Sequence, residues 1–471
     1  MPVAQAVIKY LPSVIIPHIF RFLFLIVVTH FVTPDTLGIY GIITSTVYLF
    51  DATMFLWGRT ALIRFHGSWS RNGRLDRAFA SYLRLMLIII IILIITPVVL
   101  AYILKVPYYD LLLLAGIYII LRALFTLLQC YYRCLERAKV YNINESMLGV
   151  LMVVLPLLLV HYYQQSPQLM IIGLIMAHII VTVPHLKLVV KLWNTTTATY
   201  YLKKLFIFNK YEIPSALIEK GLYVFDRYFI AIVISISASG IFNAGVSFVN
   251  GTIAATMQAL LLGVYPVLMR ETAVAGNNIA KLSQSYSHNM TIILAIILPS
   301  CVGLAIMGED IGILLLDDQF LISGSIIIPL ACVTMAIDAF ILNSVNHAFH
   351  ITQKMKYPLY ILLVMALIEL AIKLIWWDIS MMQILYINIC VSTLALIASI
   401  ILAKRVMKFS IPWQNIMIIA MATTAMGYSV NLYGVASGYI DLVIKMIIGI
   451  GVYGSITYVL FRTYTKTLSL R

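Results

Sequence analysis

Few residues of this chain carry chemistry, and most of those that do sit in apolar surroundings. Arg21, Asp51 and Arg122 each interrupt a long apolar run, as do Asp226, Arg227 and Asp338. Glu219 and Lys220 precede Asp226 and Arg227 by seven residues. On a helix that spacing puts the two carboxylates on one stripe and the two cations on a neighbouring one. Arg59 follows Asp51 near the end of the same apolar run, where snorkelling to the membrane surface explains it. The chemistry open to this set is the holding of an anion, because guanidinium groups offer planar paired donors to phosphate or carboxylate. Arg21, Arg59, Arg122, Arg227 and Lys220 are the candidate substrate-binding cations. Asp51, Asp226, Glu219 and Asp338 suit either coupling to an ion or plain ion pairing. Two readings stay open: structural ties between helices, which the near balance of charges favours, and a wet cavity that receives an anionic group.

Other chemistries have no foothold. There is no Walker A sequence, Gly-rich phosphate loop, HExxH or GxSxG. Cys130, Cys134, Cys301, Cys332 and Cys390 are scattered through apolar runs and read as packing thiols. His178, His347 and His350 have no metal-ligand partner at useful spacing, and His18 reads as a hydrogen-bonded core residue. Neither a metal, a cofactor nor nucleic acid is expected, and the chain does not read as an enzyme.

The elements that position these charges follow from composition. Of 471 residues, 62% are apolar and 11% charged, with a mean hydropathy of +1.00. Soluble domains have about 45–50% apolar and about 25% charged residues. The apolar runs are continuous, which excludes a membrane β-barrel. Runs of about 20 residues read as membrane helices. They fall at about 10–31, 37–63, 83–104, 110–132, 145–163, 168–189, 213–235, 241–268, 287–308, 325–348, 358–377, 382–403, 413–433 and 441–461. The chain is thus predicted to be an all-α polytopic membrane protein of about fourteen helices. Lys373 and Lys445 are expected to snorkel outward, with Glu369 four residues before Lys373 as an intrahelical partner. The net charge of +14 is placed one-sidedly. Arg64, Arg71, Arg74 and Arg77, then Arg133, Arg137 and Lys139, then Lys354 and Lys356 fall on one face, with Lys9 and Arg471 at the ends. Only Lys105 falls clearly on the other face, beside Glu309, Asp310, Asp317 and Asp318. The positive-inside rule puts both termini in the cytoplasm.

A repeat organises the helices. Leu11-Pro12-Ser13 and Gly38-Ile39-Tyr40 return as Ile213-Pro214-Ser215 and Gly240-Ile241-Phe242 at an offset of about 202 residues. The expected domains are a six-helix lobe at 1–204, a second at 205–408 and two extra helices at 409–471.

Several segments carry a family likeness: Leu37-Gly38-Ile39-Tyr40-Gly41, Leu135-Glu136-Arg137, Asp226-Arg227, Gly240-Ile241-Phe242-Asn243-Ala244 and Tyr265-Pro266-Val267-Leu268. With the six-six-two arrangement, the chain resembles the Wzx-type O-antigen and polysaccharide flippases of the multidrug/oligosaccharidyl-lipid/polysaccharide (MOP) exporter superfamily. The resemblance implies two pseudo-symmetric six-helix bundles of the MATE/MOP kind in a bacterial inner membrane. It implies a polyprenyl-pyrophosphate-linked oligosaccharide, usually on undecaprenyl pyrophosphate, moved to the outer leaflet by alternating access. Arg21, Arg59 and Arg122 are the positions that match pyrophosphate-holding arginines in related lipid II flippases. Membrane lipid, a polysaccharide polymerase and a chain-length regulator are the implied partners. A multidrug exporter and a lipid II flippase remain alternatives. A membrane polymerase or glycosyltransferase is disfavoured by the short outer connections.

Reporter fusions at Gly73, Asn194 and Lys354 should read cytoplasmic, and fusions at Asp317 and Gly434 should read external. A cytoplasmic reading at Asp317 overturns the helix count and the repeat together.

Overall fold

The computed structural model describes residues 12–103, 109–275, 278–352 and 354–469; Lys9, Leu11, Lys105 and Arg471 lie outside them. Every regular element among the described residues is a helix. Among the described residues ten helices are long and apolar enough to cross a membrane, including Pro34–Arg71, Asp110–Cys134 and Asp318–Ile351. The protein is a multi-pass membrane protein, and the figure of fourteen spans stays an expectation.

In chain order the helices are α1 (Pro12–Thr29), α2 (Pro34–Phe50), α3 (Trp57–Arg71), α4 (Leu75–Ile103), α5 (Tyr109–Cys134), α6 (Ala138–Tyr162) and α7 (Pro167–Thr182). The short α8 (Leu186–Trp193) and α9 (Thr199–Asn209) precede α10 (Glu212–Val233) and α11 (Ile236–Ala275). Then come α12 (Ile279–Ile306), α13 (Gly308–Leu315), α14 (Ile328–Phe340), α15 (His347–Ile351), α16 (Lys356–Ile375), α17 (Met381–Val406), α18 (Trp413–Leu432) and α19 (Tyr439–Ser469). Local sequence sets several starts. Thr33 and Ser166 cap α2 and α7, each followed by proline, whose missing N–H has no partner to lose there. Ser380 and Gln383 form a capping box at α17.

The described residues form two compact units, one from the ranges 12–24 and 31–240, the other from Leu25–His30 and the range 241–469. In the first unit, Phe55, Leu62, Phe79, Tyr82, Tyr118 and Leu174 form a continuous core. Helix α10 packs against α2. Two glycines allow close approach at the neighbouring corner: a Cβ on Gly38 would collide with the Ile236 carbonyl, and one on Gly240 with the Pro34 carbonyl. At the start of α4, Asp76 takes an ion pair from Lys191 at 2.7 Å and a hydrogen bond from the Tyr131 hydroxyl at 2.8 Å. Partial burial raises the Asp76 pKa, but those donors and the Lys191 charge outweigh it, leaving the pKa below the usual carboxylate value. Its contribution to stability is therefore present above the ordinary carboxylate pKa and is lost as pH falls through the lowered one.

The second unit corrects two expectations. Lys373 does not snorkel: it is 0% exposed, paired with Glu369 on its own helix and donating to Asn388 Oδ1 at 2.7 Å. Lys445 does not snorkel either. It is buried against Asp310, whose other oxygen accepts from the Ala436 N–H at 2.7 Å. An unpaired ammonium at that depth costs about 2.5–3.5 kcal/mol on insertion scales, and pairing removes the need to reach the surface.

Gly240→Val should lower the thermal midpoint of the purified protein, since overpacking costs about 1–3 kcal/mol. Gly221→Ala, on an open face of α10, should leave it unchanged or slightly raised.

Candidate functional site

The long helix Pro34–Arg71 contains a π-helical turn at Asp51–Leu56 that joins α2 to α3. In an uninterrupted α-helix, residues eight apart stand about 80° apart around the axis. The wider turn takes up that angle, and Asp51 and Arg59 share one face. Arg59 donates from Nη1 to Asp51 Oδ1 at 2.7 Å and from Nη2 to Oδ2 at 3.0 Å. Its Nη1 also donates to Thr126 Oγ1 at 2.8 Å. Arg122, on α5, brings Nη2 to 3.4 Å from Asp51 Oδ2 and stacks its guanidinium 4.0 Å from the centre of the Tyr48 ring. Asp51 and Arg59 are 5% and 7% exposed. Arg59 therefore does not snorkel, and the sequence expectation is corrected: the widened turn points it inward.

A π turn frees backbone carbonyls, and side chains take them up here. The Tyr82 hydroxyl donates to Phe55 O at 2.6 Å, Trp57 Nε1 to Met54 O at 2.8 Å and Asn209 Nδ2 to Trp57 O. Gly58 leaves room for the Tyr82 ring, which a Cβ would strike. The turn is thus held from α4 and α9 and by its own tryptophan.

Around the cluster, Arg122 Nε and His178 Nε2 are buried without a hydrogen-bond partner among the described residues. The His178 Nδ1 faces Leu174 O at 2.9 Å, and its ring lies edge-on to Tyr118 and Phe125. Arg21, exposed on α1, is within electrostatic reach of Tyr48 and Glu145. Three guanidiniums therefore stand with two carboxyl groups, Asp51 and Glu145.

The remaining candidates are placed differently. Lys220 pairs with its neighbour Glu219, both about half exposed, so Glu219 and Asp226 do not share one environment: Asp226 is buried. Arg227, 1% exposed, folds back along α10, with its guanidinium 3.7 Å from the centre of the Tyr223 ring and Nη1 donating to Tyr223 O at 3.2 Å. Asp338 is an exposed residue of α14 in the second unit.

Residues 27–325 match the family described as polysaccharide biosynthesis protein. The chain belongs to that family. Its fold is that of the MOP superfamily, as the sequence resemblance implies. It is similar to the lipid II flippase MurJ in an inward closed conformation, with a TM-score of 0.75 and 14% identity over 98% of this chain and 100% of that one. It is also similar to an inward-facing multidrug resistance MATE family transporter, with a TM-score of 0.59 and 12% identity over 86% and 98% of the two chains. A MOP superfamily transporter from Pyrococcus furiosus aligns with a TM-score of 0.54 and 14% identity over 86% and 95%. No curated protein matches by sequence.

Members of this cluster that the sequence reading missed are Glu145 and its support. Gln129 Nε2 donates to Glu145 Oε1 at 3.2 Å, and Asn144 Nδ2 donates to Gln129 Oε1 at 3.1 Å. Asn144 Nδ2 also lies 3.0 Å from His185 Nε2, and the Tyr132 hydroxyl lies 2.8 Å from His185 Nδ1. The available signal was a carboxylate two turns into α6 with no cation one turn away on its own helix.

Asp51→Ala should lower the thermal midpoint sharply, because breaking a buried pair costs about 3–5 kcal/mol. Asp51→Ala with Arg59→Leu should recover part of the loss. Melting of both variants in detergent, with folded yield by size exclusion, checks this.

Proposed function

We propose that the chain is a flippase that carries a polyprenyl-pyrophosphate-linked oligosaccharide from the cytoplasmic to the outer leaflet of a bacterial inner membrane. It does so by alternating access and without enzymatic turnover. One observation carries the reading: two guanidiniums packed around Asp51 are joined by a third, the exposed Arg21, so that the three face only two carboxyl groups, Asp51 and Glu145. A surplus of cations inside a membrane protein is costly unless an anion is its partner. Family membership supplies the polysaccharide context.

The roles divide by what each side chain has left to offer. Both Arg59 Nη groups are engaged by Asp51 and Thr126, so Arg59 positions Asp51. Asp51 in turn orients Arg122, whose unpartnered Nε is left to donate to a phosphate oxygen. Arg21, exposed and close by, supplies a second planar pair of donors. Arg227 and Lys220 are weaker members of the set, and Asp226, Glu219 and Asp338 are held as coupling or pairing groups. A diphosphate carries about two negative charges, and an inside-negative potential favours its outward movement by about 2.3 kcal/mol per charge per 100 mV.

The proposed organisation is two lobes at 1–204 and 205–408 with two further helices at 409–471, and both termini in the cytoplasm. A polymerase and a chain-length regulator are the proposed partners downstream.

Arg21→Ala should abolish most export of the lipid-linked sugar at matched protein levels, and Arg21→Lys should impair it less. Because Arg21 is exposed, its loss should not reduce folded protein. Surface polysaccharide is the readout, and normal export by Arg21→Ala overturns the clamp role of that residue. Loss of growth instead of surface polysaccharide, on deleting the protein, would favour a lipid II flippase.

A further inference from the structure

The second unit carries a polar cavity that plays no part in the arginine cluster. Its volume is about 870 Å³, and it is lined by Ala280, Ser283, Gln284, Ser285, Ser287, His288, Ser410 and Asn415. This lies within the ~300–1,000 Å³ range of small-ligand sites. Such sites are usually mostly apolar. Among the described residues Ala280 is the single apolar one in the lining, which argues against a hydrophobic drug as the occupant.

The lining follows from the pattern of α12. Ala280, Ser283, Gln284, Ser287, His288 and Thr291 recur at helical spacing and form one stripe, although Ala280–Ile306 is otherwise apolar enough to span a membrane. The segment before α18 closes the far wall and is fixed to that stripe. Ser410 N–H donates to Ser283 Oγ at 3.0 Å, and the Ser287 hydroxyl to Ser410 O at 2.6 Å. Asn415 Nδ2 donates to Thr291 Oγ1 at 3.2 Å. The wall is therefore preformed. Gln284 and His288 are exposed and make no hydrogen bond among the described residues, which leaves their polar atoms for a ligand.

The chemistry of the lining selects the occupant. Among the described residues it contains no Lys, Arg, Asp or Glu. Phosphates are bound mainly through charge-assisted donors, and among the described residues the lining offers no permanently charged one. Serine hydroxyls and the Gln and Asn amides both donate and accept, which matches a ligand whose own groups alternate in the same way. A neutral saccharide is such a ligand. We propose that this cavity binds sugar residues of the glycan, a specificity subsite separate from the cationic cluster. The proposal rests on the reading of the substrate as a sugar-bearing lipid.

The test compares two probes on the protein in nanodiscs: undecaprenyl pyrophosphate without sugar, and the same carrier bearing the repeat unit extracted from the host. The unmodified protein should bind the glycan-bearing lipid more tightly. Gln284→Ala with His288→Ala should weaken its binding about tenfold and leave the bare carrier unchanged. Arg21→Ala should weaken both. Equal binding of the two probes by the unmodified protein, or an equal loss of both in the double variant, overturns the sugar subsite. Failure of the bare carrier to bind at all, with a sugar-dependent signal kept, instead overturns the pyrophosphate reading and leaves the subsite standing.

Discussion

A carboxylate shared between two buried guanidiniums is the constraint around which the first unit is built. Neither Arg59 nor Arg122 can turn to lipid, and Asp51 cannot be left alone among apolar side chains. The register of the helix bearing Asp51 against α5 is therefore fixed to within a hydrogen bond. The π-helical turn is the local adjustment that makes this register compatible with one continuous rod. Tyr82 and Asn209 then brace the turn by taking carbonyls that an ordinary helix would have satisfied itself. Charge, helix geometry and packing thus converge on one six-residue stretch.

Helical architecture was legible because runs of about 20 apolar residues leave few alternatives. The Glu369–Lys373 pair was legible for a similar reason: spacing of four residues on a helix is a direct statement of proximity. Arg59 was misread because the spacing from Asp51 is off-face on an ideal helix, and nothing local in Asp51–Leu56 announces a wider turn. Lys445 was misread because its partner Asp310 is 135 residues away. Glu145 escaped notice because its partner Gln129 comes from α5, and a neutral amide carries no charge signal. For Lys445 and Glu145 the missing information was tertiary, and for Arg59 it was a local departure from α-helical geometry.

Two polar environments of different character are embedded in this apolar protein. One is cationic, tightly packed and largely saturated by its own partners. The other is neutral, open and rich in groups that both give and take hydrogen bonds. The first suits a ligand group defined by charge, the second a group defined by the pattern of its hydroxyls. Sugar selectivity would then be tunable by neutral substitutions on α12 without disturbing the charges on which the first unit depends.

The two buried lysines differ in when they can be neutralised. Lys373 has its carboxylate one turn away, so α16 can enter the bilayer as a self-contained pair. Lys445 on α19 has to find Asp310, which belongs to a segment synthesised far earlier. α19 has a carboxylate of its own one turn before Lys445, Asp441, but in the fold that group is taken up by Ser437 and Tyr433. Lys445 therefore depends on α13, and closing its pair with Asp310 ties the seating of α19 to a segment far earlier in the chain.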